Sequence, residues 1–179
     1  LLYDKIIDEG NVMGERLLEN KIAVRTGGTS AMGIGIAKVF LEKGAKIIIG
    51  DLDSEKLNKI SSELSENGTA DHIKALKLDL TSTDSIKDFL DKAEAAYGSL
   101  DILVNNAGVC IGSSIFDITE SRFDLTFGVN VKGLFEISRQ FAQKLISADR
   151  PGNIVNIASN AAKVCFEGMA DYNASKAAV

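Results

Sequence analysis

Tyr172 and Lys176 stand at i and i+4 in Tyr172-Asn173-Ala174-Ser175-Lys176, a spacing that puts both side chains on one face of a helix. A phenol with its ordinary pKa of ~10 is too weakly acidic to act as a base at neutral pH. A lysine ammonium beside it, with the positive charge of an oxidised nicotinamide, favours the phenolate. Upstream, Ser159 in Asn156-Ile157-Ala158-Ser159 offers a hydroxyl either to a substrate oxygen or to a turn as its cap. Asn130 lies on the apolar stripe Phe123, Phe127, Leu134, Ile137 and Phe141. An amide there either satisfies buried backbone groups or holds a catalytic water.

A second constellation suits a diphosphate. Thr26-Gly27-Gly28-Thr29-Ser30-Ala31-Met32-Gly33-Ile34-Gly35 follows an apolar run and leads into a helix. Glycines let such a backbone turn tightly and approach a pyrophosphate at the helix N-terminus. Asp51 ends the next apolar run, near the ~20-residue offset expected of an acid that accepts from the adenosine ribose hydroxyls. A carboxylate there repels a 2′-phosphate, so the spacing favours NAD over NADP; Asp53 competes for the role. Arg25 is the discordant residue, a cation inside a strand that should be buried on both faces.

The elements that must position these groups alternate along the chain. Strands are predicted at Ile22–Thr26, Lys46–Asp51, Ile73–Asp79, Leu100–Asn105 and Asn153–Ala158. Helices are predicted at Gly33–Lys43, Ser54–Asn67, Ser82–Tyr97, Glu120–Ser147 and from Asp171 onward, with Gly44, Gly68 and Gly98 closing the first three. Strand–helix alternation implies α/β architecture, a doubly wound parallel sheet. Four strands are nearly continuous apolar runs, as coverage on both faces requires. The third alternates with Lys74 and Lys77 and therefore belongs at an edge. Residues 21–179 form this nucleotide-binding domain; residues 1–20 read as an extension or the remnant of an upstream segment.

Composition narrows the classes. A net charge of −5 argues against nucleic acid or an anionic membrane as partner. His72 is the only histidine, which leaves no multi-histidine metal site. Cys110 and Cys165 form no CxxC pair and suit a reduced, cytoplasmic protein. Cys165 reads as a packing residue.

Taken in register, these motifs resemble the short-chain dehydrogenase/reductase family over Lys21 to Val179. TGxxx[AG]xG appears as Thr26 to Gly33, NNAG as Asn105 to Gly108, and the Asn-Ser-Tyr-Lys tetrad as Asn130, Ser159, Tyr172 and Lys176. The resemblance implies a Rossmann fold and hydride transfer between NAD(H) and a carbinol or carbonyl carbon of a small alcohol or ketone. Polyols, sugar alcohols and 3-hydroxyacyl compounds are the implied substrate types. Tyr172 would act as acid or base, Ser159 would bind the substrate oxygen, Lys176 would tune Tyr172 and hold the nicotinamide ribose, and Asn130 would position a water.

Around the coenzyme, the resemblance implies Gly27, Thr29, Ser30, Met32, Gly33 and Ile34 at the phosphates, with Asp51 and Leu52 at the ribose. Asp79 and Leu80 would meet adenine, and Asn106, Ala107 and Gly108 would line the cleft. It also implies a homodimer or homotetramer pairing through the helices from Glu120 and Asp171, with Phe135 or Phe141 exposed. Three departures stand out. Arg25 replaces an apolar residue and puts the first strand's stability in doubt. Ala162 and Lys163 stand where glycine is common. The last two strands and the substrate-covering loop are not in the sequence. A non-catalytic dinucleotide-binding or assembly protein, or an inactive dehydrogenase fragment, is the alternative. Epimerase chemistry expects TGxxGxxG, which Thr26 to Gly33 does not show.

Overall fold

Five parallel strands form the centre of the computed structural model, which describes residues 16–65 and 69–179. β1 (Ile22–Thr26) pairs with β2 (Lys46–Asp51) on one side and with β4 (Ile102–Asn105) on the other. β3 (Ile73–Lys77) lies beyond β2 and β5 (Asn153–Asn156) beyond β4, giving the order β3-β2-β1-β4-β5. This is the doubly wound parallel sheet, with β3 at an edge as its lysines indicate. Strand order reverses between β1 and β4, and at such a switch point the carboxyl ends diverge to leave a crevice.

The helices are α1 (Ala31–Glu42), α2 (Ser54–Ser65), α3 (Thr83–Tyr97), α4 (Glu120–Phe127), α5 (Leu134–Ser147) and α6 (Ala170–Ala177). Ser30, Ser82 and Thr119 cap α1, α3 and α4, each accepting an N–H from three residues on. Asn67 and Gly68, expected at the end of the second helix, lie outside the described residues, as do residues 1–15 of the expected extension.

Side chains alternate across the central strands and so build two cores. Ala23, Ile47 and Ile49 face Ala37, Leu41, Leu57 and Ile60 on the α1–α2 side. Val24, Ile48 and Leu103 face Phe89, Leu90, Ile137 and Phe141 on the α3–α5 side.

Three expectations are corrected. The helix foreseen over Glu120–Ser147 is broken into α4 and α5 by a π-helical turn, Gly128–Gly133. A π turn fits one extra residue into the helix and so rotates everything beyond it. The buried face consequently runs through Thr126, Asn130, Gly133, Ile137 and Phe141, while Phe123, placed on the same stripe by a constant 3.6-residue period, is exposed. Phe123 instead stacks on Phe127, ring centroids 4.4 Å apart. Phe141 is fully buried, so of the two phenylalanines proposed as exposed only Phe135, at 65%, is. Finally, the apolar run of β5 is not covered: all four of its residues are exposed, and among the described residues β5 is the edge strand on its side of the sheet.

Candidate active site

Thr26 closes β1 and does two jobs at the crevice. Its Oγ1 accepts the backbone N–H groups of Asn106 at 3.1 Å and Ala107 at 3.0 Å, tying the segment after β4 to the end of β1. The Asn106 side chain returns the tie, donating to the carbonyls of Thr26 and Gly27 and to Ser30 Oγ. Gly27 holds φ +69°, and a Cβ there would lie 2.8 Å from the Cα of Ala107. Only glycine meets both demands.

The result is a cleft of about 510 Å³ along the carboxyl ends of four strands. Gly27, Thr29 and Ser30 line it from β1, Asp51 and Leu52 from β2. Asp79 and Leu80 follow from β3, then Asn106, Ala107 and Gly108 from β4. Met32, Gly33 and Ile34 do not line it. Met32 is 60% exposed, Gly33 is buried, and Ile34 turns into the α1–α2 core.

The two acids differ in their hydrogen bonds. Asp51 Oδ2 accepts from the N–H and hydroxyl of Thr29 at 2.9 and 2.8 Å, and Oδ1 accepts from Leu52 N at 2.7 Å. Asp53 instead accepts Lys56 N at 3.0 Å, in the manner of a cap on the first turn of α2, and pairs with Lys56 Nζ at 3.1 Å. Asp79 accepts from Thr81 N and Oγ1 at 2.9 and 2.6 Å; these bonds hold its carboxyl below the usual range.

Arg25, discordant in the sequence, is fully buried beneath the glycine loop. Nη1 donates to Gly27 O at 2.9 Å and Nη2 to Gly28 O at 3.1 Å, while Nε has no partner. Burial lowers its pKa to about 10, against an opposing pull from Asp51.

The reacting groups gather where β5 meets α6. Lys176 is 5% exposed, its Nζ donates to Ile157 O at 2.8 Å, and it lies 6.0 Å from the centre of the Tyr172 ring. Burial pulls the Lys176 pKa below the ordinary lysine value. A Cβ on Gly108 would stand 3.6 Å from this ammonium and 3.5 Å from Asn130 Oδ1, so cleft, lysine and Asn130 adjoin. Asn130, in the π turn, gives its amide to Val109 O and to Ser175 Oγ, both at 2.9 Å, and accepts Val109 N at 2.7 Å. Its side chain thus satisfies buried neighbours. Ser159 Oγ accepts Ala161 N at 3.1 Å and caps the short turn Asn160–Ala162.

Two features escape the sequence. Asn105 is buried and donates to Ser138 Oγ and Asn156 Oδ1 at 2.8 and 2.9 Å, joining β4 to α5 and β5. Asp171, next to Tyr172, accepts from Arg122 Nη2 at 3.1 Å, Arg122 Nε at 3.3 Å and Thr126 Oγ1 at 2.9 Å. Arg122 also donates to Ser113 Oγ and Ile111 O, so one guanidinium ties the segment after β4 to the start of α6. Burial alone would raise the Asp171 pKa; the Thr126 and Arg122 bonds outweigh it and lower the value. The one available signal was an acid directly before the motif tyrosine.

The sequence profile of short chain dehydrogenase matches residues 21–179. A 3-oxoacyl-[acyl-carrier-protein] reductase from Thermotoga maritima is 33% identical over 162 residues, 90% of this chain and 65% of the relative. Galactitol 2-dehydrogenase from Agrobacterium fabrum is 35% identical, over 90% of this chain and 61% of the relative. The crystal structure of a short chain dehydrogenase/reductase from Burkholderia phymatum in complex with NAD superposes with a TM-score of 0.85 at 30% identity, over 90% of this chain and 57% of that one. The chain spans less than two thirds of the length of each of these proteins.

Proposed function

The chain belongs to the short chain dehydrogenase family, and from that premise we propose that it serves hydride transfer between NAD(H) and the carbinol or carbonyl carbon of a small alcohol or ketone. The observation that carries the proposal is Lys176, a buried ammonium between the cleft at Gly108 and the ring of Tyr172. The residues present suit a dinucleotide: a glycine turn that a side chain would fill, an acid at the end of β2, and a cleft along four strand ends. The bound coenzyme supplies the hydride acceptor or donor. Tyr172 moves the proton at the substrate oxygen through its hydroxyl. Ser159 donates its hydroxyl proton to the same oxygen while its Oγ continues to accept from Ala161 N. Lys176, anchored on Ile157 O, favours the phenolate and offers its ammonium to the nicotinamide ribose. Asn130 fixes Val109 and Ser175 around it, and a water in the proton path would be held by the same turn.

Asp51 supports NAD over NADP, since a 2′-phosphate would meet its charge. The names of the similar proteins support a 3-hydroxyacyl or polyol substrate. Exposed Phe135 supports assembly of the whole protein as a homodimer or homotetramer, and the reduced cysteines support the cytoplasm. Titration of NADH and NADPH followed by nicotinamide fluorescence tests the coenzyme reading. Tighter NADH is expected; tighter NADPH would overturn the role of Asp51, and binding of neither would overturn dinucleotide binding by this chain.

A further inference from the structure

From the burial of Arg25 directly beneath the glycine loop, we infer that it is a positioning residue for the coenzyme's pyrophosphate, holding the loop by its carbonyls and setting an unspent positive charge behind the phosphates. The inference deepens the dinucleotide reading and rests on it.

Alternation along β1 sends Arg25 to the same face as Ala23, toward α1. There the guanidinium passes under the loop to Gly27 O and Gly28 O, and a Cβ on Gly33 would overlap Nη1. Gly27 O is also claimed by Asn106 Nδ2 at 3.1 Å and Ser30 Oγ at 3.1 Å. With its carbonyls drawn down onto these donors, the loop is held rigid beside the first turn of α1, where N–H groups lack intrahelical acceptors. The arginine's fork is geometrically suited to two adjacent acceptors.

The charge itself is poorly met by the protein. Among the described residues no carboxylate forms an ion pair with Arg25, Asp51 acts only at a distance, and Nε is an orphan. A cation whose pKa burial lowers costs the free chain stability throughout the neutral range, where it is protonated. Leucine or methionine would fill that strand position more comfortably. A diphosphate above the loop supplies the missing opposite charge.

This separates a ligand role from a structural one, because the two predict opposite signs. Arg25→Met and Arg25→Lys would be compared with the parent by thermal melting and by titration with NADH and NADPH. Expected for Arg25→Met is a melting temperature equal to or above the parent's, with NADH bound at least about tenfold more weakly, as removal of one charge in a protein interior implies. Arg25→Lys keeps the charge and loses the fork, and should fall between. NADPH should lose the same factor as NADH; a loss confined to NADPH would assign the charge to the 2′-phosphate and overturn the inference. Unchanged NADH affinity in a folded Arg25→Met chain would overturn it, as would unfolding of both variants, which would make Arg25 part of the fold's own stability. Should the parent bind neither coenzyme, the dinucleotide reading fails separately. Inorganic pyrophosphate then decides: melting protection present in the parent and lost in Arg25→Met sustains the role, and its absence in the parent overturns it.

Discussion

The two ends of the crevice differ in how their polar groups are already engaged. At the coenzyme end, β1 and β2 are buried, Thr26 pins the segment after β4, and Asp51 gathers three short bonds before any ligand arrives. At the reacting end, Ser159 Oγ accepts one N–H and keeps its proton to donate, and among the described residues the Tyr172 hydroxyl has no hydrogen-bond partner. Donors and acceptors fixed in advance lower the ordering cost of binding. The contrast teaches that the groups proposed for dinucleotide binding and those proposed for proton transfer are held by different elements, so that each set can be altered without the other.

Breaking the reacting end alone should give the largest effect. Tyr172→Phe removes the proton-transferring oxygen, and turnover of alcohol substrates should fall by about 10³-fold, while NADH affinity from fluorescence titration stays as in the parent. Equal losses in both would erase the distinction between the ends.

Next comes the tie between them. Asp171 is nearly fully buried and paired with Arg122, so Asp171→Ala strands a guanidinium and should cost about 3 kcal/mol in urea unfolding. The pH dependence follows from the lowered Asp171 pKa. A carboxyl depressed on folding contributes stability that is present above the unfolded value of ~4 and lost as pH falls through the lower folded value. The parent should therefore lose more stability than Asp171→Ala on acidification from pH 5; parallel curves would show that the pair contributes nothing there.

Two smaller changes sharpen the coenzyme end. Asp51→Asn keeps acceptor capacity and drops the charge, so the ratio of NADPH to NADH affinity should rise by about tenfold, a modest share of the cost of juxtaposed like charges. Ser30→Ala deletes the cap of α1 and should cost about 1 kcal/mol of stability. Little change there would mean that Asn106, which also reaches Ser30 Oγ and Gly27 O, holds the loop unaided.

What could be read from the sequence follows the same division. β1 and β2 have the predicted bounds, Ile22–Thr26 and Lys46–Asp51, because burial on both faces writes itself into consecutive apolar residues such as Ile22–Val24 and Ile47–Ile49. β5 carries a similar run and is exposed, since coverage is decided by neighbouring elements and not by the strand's own side chains. The sequence favoured Asp51 with Asp53 as a competitor; the backbone of α2 distinguishes them further by taking Asp53 at its first turn. Arg25 was visible as a conflict, but its acceptors are carbonyls, which every residue has and no sequence marks. Arg122 and Asp171 meet across distant elements, with only the unusual acid before Tyr172 to hint at it.

The π turn at Gly128–Gly133 makes the site a measure of chain length as well as of residue type. Deleting a single residue from that segment would let the helix relax to regular winding while the stretches on either side keep their facing, because the residue lost is the one the wide turn accommodates. Thr126 on the near side and Ile137 on the far side would still face inward, while the side chains inside the turn would be reset and Asn130 would lose Val109 and Ser175. A one-codon deletion here should therefore leave the cores on either side packed and strike the Asn130 contacts alone, lowering activity more than stability.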